Sequence, residues 1–324
     1  MSALLADRLG RSMLAAVVAV GLGIAPAAAA WTPDRSVNVI VTSSAGGGSD
    51  LFSRTITGIM TKQKIVPVSF LVENRTGGSG AVGFSYAAKK VGDPYTLANV
   101  SVSFFTTPLL GESPVSYKDF TPLVGIADDA YVMLVSAKSP LKTIEDIKAK
   151  GSIVSGTTGI VADPSLLAQK LKGALGIKVN IVPYGGDGEV TSALLGGHID
   201  VQFGNPSEVL PLIKSGELRP IAMSSATRLA ALPDVPTFKE IGVDIVLVQL
   251  RGFVLPKDVP ADAVAYWVDA FKKATSTPEW KAEYIDRFNV VPIFLSGPEL
   301  AAEMDKRNAD YEQLMRGLDL IKKK

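Results

Sequence analysis

The sequence predicts an α/β protein of two lobes, built on mainly parallel sheets with a cleft between the lobes. Three observations carry this. Short apolar runs alternate with helical patterns in a strand–loop–helix unit that recurs about eight times. The loops that follow the strands are rich in glycine, serine and threonine. They fall in two groups, one before about residue 132 and one between about residues 153 and 207. Two lobes with facing glycine loops enclose the kind of cleft that small molecules occupy.

Residues 1–30 read as a secretory signal peptide. Arg8 and Arg11 form a basic start, and Met13 to Ile24 an apolar stretch too short to span a bilayer. Ala28-Ala29-Ala30 is a small-residue cleavage site ahead of Trp31. No later segment is apolar and long enough to cross a membrane, so an exported, soluble chain is expected. Its length suits two domains with ample cores. Without the signal peptide, basic and acidic residues balance. That removes any global electrostatic case for nucleic acid or an anionic membrane as partner. With no cysteine there is no disulfide and no thiolate chemistry.

Val37 to Val41 reads as the first buried strand. It runs into Ser43-Ser44-Ala45-Gly46-Gly47-Gly48-Ser49-Asp50, after which Leu51, Phe52, Thr55, Ile56, Ile59 and Met60 mark one face of a helix. Ser49 or Asp50 is the expected N-cap. Such a loop is either a plain strand-to-helix turn or an anion cradle. Glycines allow close backbone approach, and a helix start presents free N–H groups. Taken with the rest of the chain, the loop is read as holding a carboxylate. Val66 to Glu73 is a second strand, followed by a polar glycine loop and a helix over Ala81 to Lys90. Gly78-x-Gly80-x-x-Gly83 formally matches the dinucleotide fingerprint. Polar residues Glu73 to Thr76 separate it from the strand, so nicotinamide binding is set aside. Tyr95 to Val100 is a third strand, with Ser101 and Ser103 just past it on the ligand-facing side. Leu123 to Ile126 and Tyr131 to Ser136 are strands split by Asp128-Asp129, which read as a solvated turn rather than a metal site.

Thr143 and Asp146 predict a capped helix start. Ser152 to Ser155 is a strand leading to Gly156-Thr157-Thr158-Gly159, and Asp163-Pro164-Ser165 reads as a helix start with Asp163 as N-cap. Val179 to Pro183 leads through Tyr184-Gly185-Gly186-Asp187 to a helix. Val201 to Phe203 leads through Gly204-Asn205-Pro206-Ser207 to another. Leu218 to Met223, Ile245 to Leu250 and Phe253 to Leu255 are strands, the last two flanking Arg251-Gly252. From Ala261 the chain is helical, broken near Val290 to Leu295, and ends in lysines.

Groups poised for proton transfer are scarce. The one histidine, His198, lies in a glycine-flanked turn and reads as structural. It cannot build a common zinc site alone, and a serine triad would need it as base. There is no nucleophile elbow and no phosphate-binding Gly-x-x-x-x-Gly-Lys loop. Binding is therefore favoured over catalysis, with no metal and no cofactor.

Gly46-Gly47-Gly48-Ser49-Asp50 with Arg54, and Val72-Glu73-Asn74-Arg75-Thr76-Gly77-Gly78-Ser79-Gly80-Ala81-Val82-Gly83, resemble the paired N-terminal signature of tripartite tricarboxylate transporter receptors, the Bug family. Val182-Pro183-Tyr184-Gly185-Gly186 through Leu194-Leu195-Gly196-Gly197-His198-Ile199-Asp200 resembles the family's central block. Leu232 to Glu240 and Arg251 to Pro256 resemble its later blocks. The resemblance covers essentially the whole chain after the signal peptide. It implies a two-lobed periplasmic-binding-protein fold of the type II, Venus-flytrap kind. The first lobe would take residues 31–132 and 252–324, the second 133–251. It further implies a periplasmic receptor, not an enzyme, expected to be monomeric. Such a receptor captures a small tri- or dicarboxylate or related organic acid and delivers it to a carrier of one large and one small membrane subunit. A receptor for another transporter or a sensor kinase, or an exported enzyme on the same scaffold, are the alternatives. Carried over, Ser43 to Asp50 form the first-lobe loop, lined by Ser101 and Ser103. Thr157, Thr158, Asp163 and Ser165 close from the second lobe, with Tyr184, Gly185 and Asn205 beside them. Arg251 is either a second carboxylate partner or one half of a structural inter-lobe ion pair. Ser43-Ser44 stand where the family has a proline-containing run, and Asp93-Pro94-Tyr95-Thr96 replaces its usual Asp-Gly-Tyr-Thr.

Gly47→Val is expected to abolish binding by blocking backbone approach while leaving a folded protein. Unchanged affinity in calorimetry would remove this loop from the site.

Overall fold

Two mixed sheets organise residues 31–159 and 161–321, the part of the chain that the computed structural model describes. The expected signal peptide, Ile160 and the basic end at 322–324 lie outside the described residues. The strands are β1 (Val37–Val41), β2 (Phe70–Asn74), β3 (Thr96–Val100), β4 (Phe120–Ala130), β5 (Val132–Ser136), β6 (Ser152–Thr157), β7 (Lys178–Pro183), β8 (Val201–Gly204), β9 (Leu218–Met223), β10 (Val248–Pro256) and β11 (Val291–Ser296). The helices are α1 (Gly48–Lys62), α2 (Ala81–Ala88), α3 (Ser103–Leu110), α4 (Ile144–Lys150), α5 (Asp163–Leu175), α6 (Asp187–Leu195), α7 (Pro206–Lys214), α8 (Ala261–Thr275), α9 (Pro278–Trp280) and α10 (Gly297–Gly317).

One sheet has the order β11-β4-β10-β3-β1-β2 and the other β7-β6-β8-β5-β9. β3 is buried along its whole length, Thr96 and Asn99 included; β2, at an edge, alternates. The α/β reading and the two-lobed architecture hold, but the sheets are not mainly parallel. β10 lies antiparallel between β3 and β4, and β5 is antiparallel to both β8 and β9. The physical reason is the route of the chain. It leaves the first sheet along β4, enters the second along β5, and returns along β10, against the direction of the strand–helix–strand units. The return begins at Val248, ahead of the expected boundary at residue 252.

Two expected strand breaks are absent. β4 runs straight through Asp128-Asp129, and β10 through Arg251-Gly252. Register shifts at Arg251/Gly252, where a Cβ on Gly252 would lie 2.2 Å from the Val124 carbonyl oxygen. Only glycine fits that close passage. Near the C-terminus the expected break in the helices is strand β11.

The packing of α1 fixes where its first turn points. Phe52, Ile56, Ile59 and Met60 are buried, and the Phe52 ring stacks on Phe253 of β10 at 5.1 Å, which in turn stacks on Phe271 of α8 at 5.1 Å. The helix is pinned along its apolar stripe, so its N-terminus stays at the end of the sheet that faces the second lobe.

The two crossings between sheets lie side by side. Ser224, fully buried at the end of β9, joins them. Its Oγ accepts from the Tyr131 N–H at 2.8 Å and donates to the Leu247 carbonyl at 2.6 Å. Its N–H donates to the Tyr131 carbonyl and its carbonyl accepts from Leu247 N–H. Arg307 of α10 braces the crossings on the side of the first sheet, its Nη1 donating to the Val248 carbonyl at 3.1 Å and its Nη2 to Asp128 of β4 at 2.8 Å. Ser224→Ala strands a buried N–H and a buried carbonyl, and should cost about 1–3 kcal/mol of unfolding free energy. A lowered urea midpoint at unchanged slope is the expected result.

Candidate functional site

β1 ends at Val41 and the chain turns through residues 43–47 into α1. The N-cap is Gly47, with no side-chain cap, so neither Ser49 nor Asp50 takes the expected role. Asp50 turns back instead. Its carboxylate accepts from Gly46 N–H at 2.9 Å, from Arg54 Nε and from Asn74 Nδ2 at 2.9 Å. Burial opposes its charge, yet these hydrogen bonds hold its pKa below the usual carboxylate range. Asn74 Nδ2 also donates to the Ser43 carbonyl. Asp50 is thus the internal anchor of the glycine loop and does not line the cleft.

The cleft encloses about 850 Å³. Its first-lobe wall is Ser43 to Ser49, the turn Thr76 to Gly80, and Ser101 and Ser103, whose hydroxyls share a hydrogen bond of 3.0 Å. Thr158, Gly159, Gly185, Asn205, Ser207 and Glu208 form much of the second-lobe wall, while Tyr131, Gln249 and Arg251 close the end at the crossings. The rims approach closely. A Cβ on Gly186 would lie 3.7 Å from Ser44 Oγ, and one on Gly159 3.7 Å from Ser79 Oγ.

Of the residues expected from the sequence, the structure brings Ser43, Ser44, Ala45, Gly46, Gly47, Gly48, Ser49, Ser101, Ser103, Thr158, Gly185, Asn205 and Arg251 to this cleft. Thr157, Asp163, Ser165 and Tyr184 lie behind its wall. Ser165 Oγ donates to Thr157 Oγ1 at 3.0 Å and to the Gly159 carbonyl at 2.6 Å, so both hydroxyls shape the loop from within. Asp163 is not an N-cap; Ala162 holds that position. The Asp163 carboxylate points inward and accepts from the Tyr131 and Tyr311 hydroxyls, each at 3.0 Å. Full burial raises its pKa to about 6, although the tyrosine hydrogen bonds pull the other way. Tyr184 packs on the second-lobe core. His198 is exposed and outside the cleft.

Asp128 and Asp129 are not a solvated turn. Asp128 accepts from Arg307 Nη2 at 2.8 Å. Asp129 is fully buried and pairs with Arg251, itself 1% exposed, through Nε at 2.9 Å and through Nη2. Arg251 Nη1 donates to Ser49 Oγ at 3.1 Å. The pair joins β4 to β10 within one sheet, so it is not an inter-lobe bridge, and Arg251 nevertheless forms part of the cleft wall. Burial works against its charge, but Asp129 holds Arg251 firmly protonated.

The sequence reading passed over the acids of the second lobe. Glu208, in the first turn of α7, reaches across the cleft, and the Gly48 N–H donates to its Oε1 at 2.5 Å. A Cβ on Gly48 would collide with both Arg251 Nη2 and Glu208 Oε1. Asp187 opens α6 in the same wall, and Glu189 Oε2 accepts from Gly185 N–H at 2.9 Å. Burial, then the neighbouring charge of Asp187, pushes the Glu208 carboxyl up to about 8; burial also raises Asp187. The turn Thr76 to Gly80 also lines the cleft, a role that its glycine pattern alone does not reveal. An acid in the first turn of each facing helix was the available signal.

Two α/β lobes joined by paired crossings, with helix starts and glycine turns converging on one cleft, define a two-lobed binding protein. The family described as "Tripartite tricarboxylate transporter family receptor" matches residues 53–318, and the chain belongs to it. The "UPF0065 protein in gbd 5'region" of Cupriavidus necator is 30% identical over 297 residues, covering 89% of each chain. The periplasmic binding protein BugD superposes with a TM-score of 0.82 at 24% identity, over 90% of this chain and 100% of that one. Rpa4515 of R. palustris, solved with adipate, gives 0.83 at 23% identity, over 89% and 98%. These two likenesses concern the fold. Among the described residues no helix is long and apolar enough to cross a membrane.

A Glu208 carboxyl that holds its proton more tightly when folded lowers stability as pH rises from its ordinary range through about 8. The melting temperature should therefore fall between about pH 5 and pH 8 more steeply in the wild type than in Glu208→Gln. Parallel profiles would contradict this environment for Glu208.

Proposed function

We propose that this protein is a periplasmic receptor that binds a small organic acid and hands it to a membrane carrier of one large and one small subunit. The observation that carries the reading is the Gly48 N–H, which already holds a carboxyl oxygen, that of Glu208. The start of α1 thus accepts this group from across the cleft, as a helix N-terminus and glycine turn are suited to do. Ser43 Oγ, buried without a partner, and the Ser101 and Ser103 hydroxyls offer further donors nearby. The family supports a receptor rather than an enzyme, and adipate in a protein of the same fold agrees with a carboxylate. The lobes would close about the crossings at Tyr131 and Leu247–Val248, excluding water and strengthening each charge-assisted hydrogen bond. Cleavage before Trp31 would release the receptor into the periplasm, where it would act as a monomer.

A thermal-shift screen against mono-, di- and tricarboxylates, with the matching amides as controls, tests the reading. An acid at ~100 times its dissociation constant should add about 2.7 kcal/mol of stability. A raised melting temperature with one acid and not its amide is expected. A flat response across all acids, on protein first freed of carried-over ligand by unfolding and refolding, would sink the carboxylate reading.

A further inference from the structure

The cleft has two chemically different ends. Ser79, Ser101, Ser103 and Thr158 give its lining hydroxyls and the backbone of glycine turns. The end near the start of α7 is acidic. Glu208 Oε1 takes the Gly48 N–H, but its Oε2 is buried without a partner. Ser207, 7% exposed in the same wall, also has an unpartnered Oγ. Asp187 faces this region from the first turn of α6.

The only base lining the cleft among the described residues is Arg251, and its charge is matched by Asp129 directly behind it. This end therefore holds carboxyl groups and a hydroxyl with too few donors to satisfy them. A second ligand carboxylate placed here would meet other carboxyl oxygens and, among the described residues, no free cation, whereas a cation beside Glu208 favours its ionised form. A protonated amine brings a positive charge and three N–H donors, which is what these oxygens lack.

Resting on the reading of the site as a carboxylate receptor, we infer that the ligand also carries a protonated amine, received between Glu208 and Asp187. These two residues then set specificity. They favour an amino acid over the dicarboxylate of the same length, while the hydroxyl-lined end holds the ligand's carboxylate.

Calorimetry on the purified protein with matched sets decides this. The sets are butanoate, succinate and 4-aminobutanoate; pentanoate, glutarate and 5-aminopentanoate; and glutarate beside glutamate. In at least one set the amine-bearing acid should bind about tenfold or more tightly than its dicarboxylate partner, a difference that Glu208→Gln and Asp187→Asn each reduce. Dicarboxylates that bind as well as or better than their amino counterparts in every set that binds overturn this inference and leave the carboxylate reading standing. Binding by none of these acids, nor by any acid in the wider thermal-shift screen, overturns both. A preference for the amine that persists unchanged in both variants overturns the assignment to this pair. Melting curves of the variants identify any that fail to fold, and the wild-type comparison stands without them.

Discussion

The buried pair of Arg251 and Asp129 is the interaction on which the character of the site depends. A guanidinium facing a small-molecule cleft would ordinarily be the first partner of an anion. Here a carboxylate on the adjacent strand already engages it through two nitrogens, and a third reaches Ser49 at the start of α1. Both groups are buried, Asp129 engaging the guanidinium through Oδ2, and removing either partner would leave an isolated charge in the interior. Its consequence is geometric as much as electrostatic. The central strand of the first sheet, the outgoing crossing strand and the glycine loop are bound together at one point, and among the described residues the cleft is left without a free cation.

Around that point the molecule divides its tasks. Ser224 ties the crossings together by four hydrogen bonds. Tyr131 and Tyr311 bring hydroxyls from the outgoing crossing and from α10 onto Asp163 at the head of a second-lobe helix. Asp163 thus reports the relation of the lobes without touching the cleft. Helix starts deliver the polar groups, and the aromatic stack of Phe52, Phe253 and Phe271 keeps the most important of these starts in place.

Much of this was legible in the sequence because it is local. The glycine loop after β1, the serines after β3 and the turns before α5, α6 and α7 are short-range patterns of strand end and helix start. The capping box of Thr143 and Asp146 forms as its spacing predicts. What was not legible depends on long-range pairing. The Asp128-Asp129 sequence looks like a turn until Arg251 and Arg307, far along the chain, neutralise it inside a strand. Asp163 carries the composition of a cap, yet two tyrosines from distant elements draw it inward. The direction of β10 follows from the chain's return between lobes, which no periodicity encodes. Glu208 was invisible as a site residue because an acid in a first helical turn usually serves its own helix dipole, and this one reaches a helix in the opposite lobe.

The close approach of Ser44 to Gly186, in a chain that contains no cysteine, has a practical consequence. Thiols introduced at these two rim positions would be the only ones in the molecule. A dye pair placed there would sit on opposite lips of the cleft. Energy transfer between the two dyes would then report, in real time, any movement of one lip against the other.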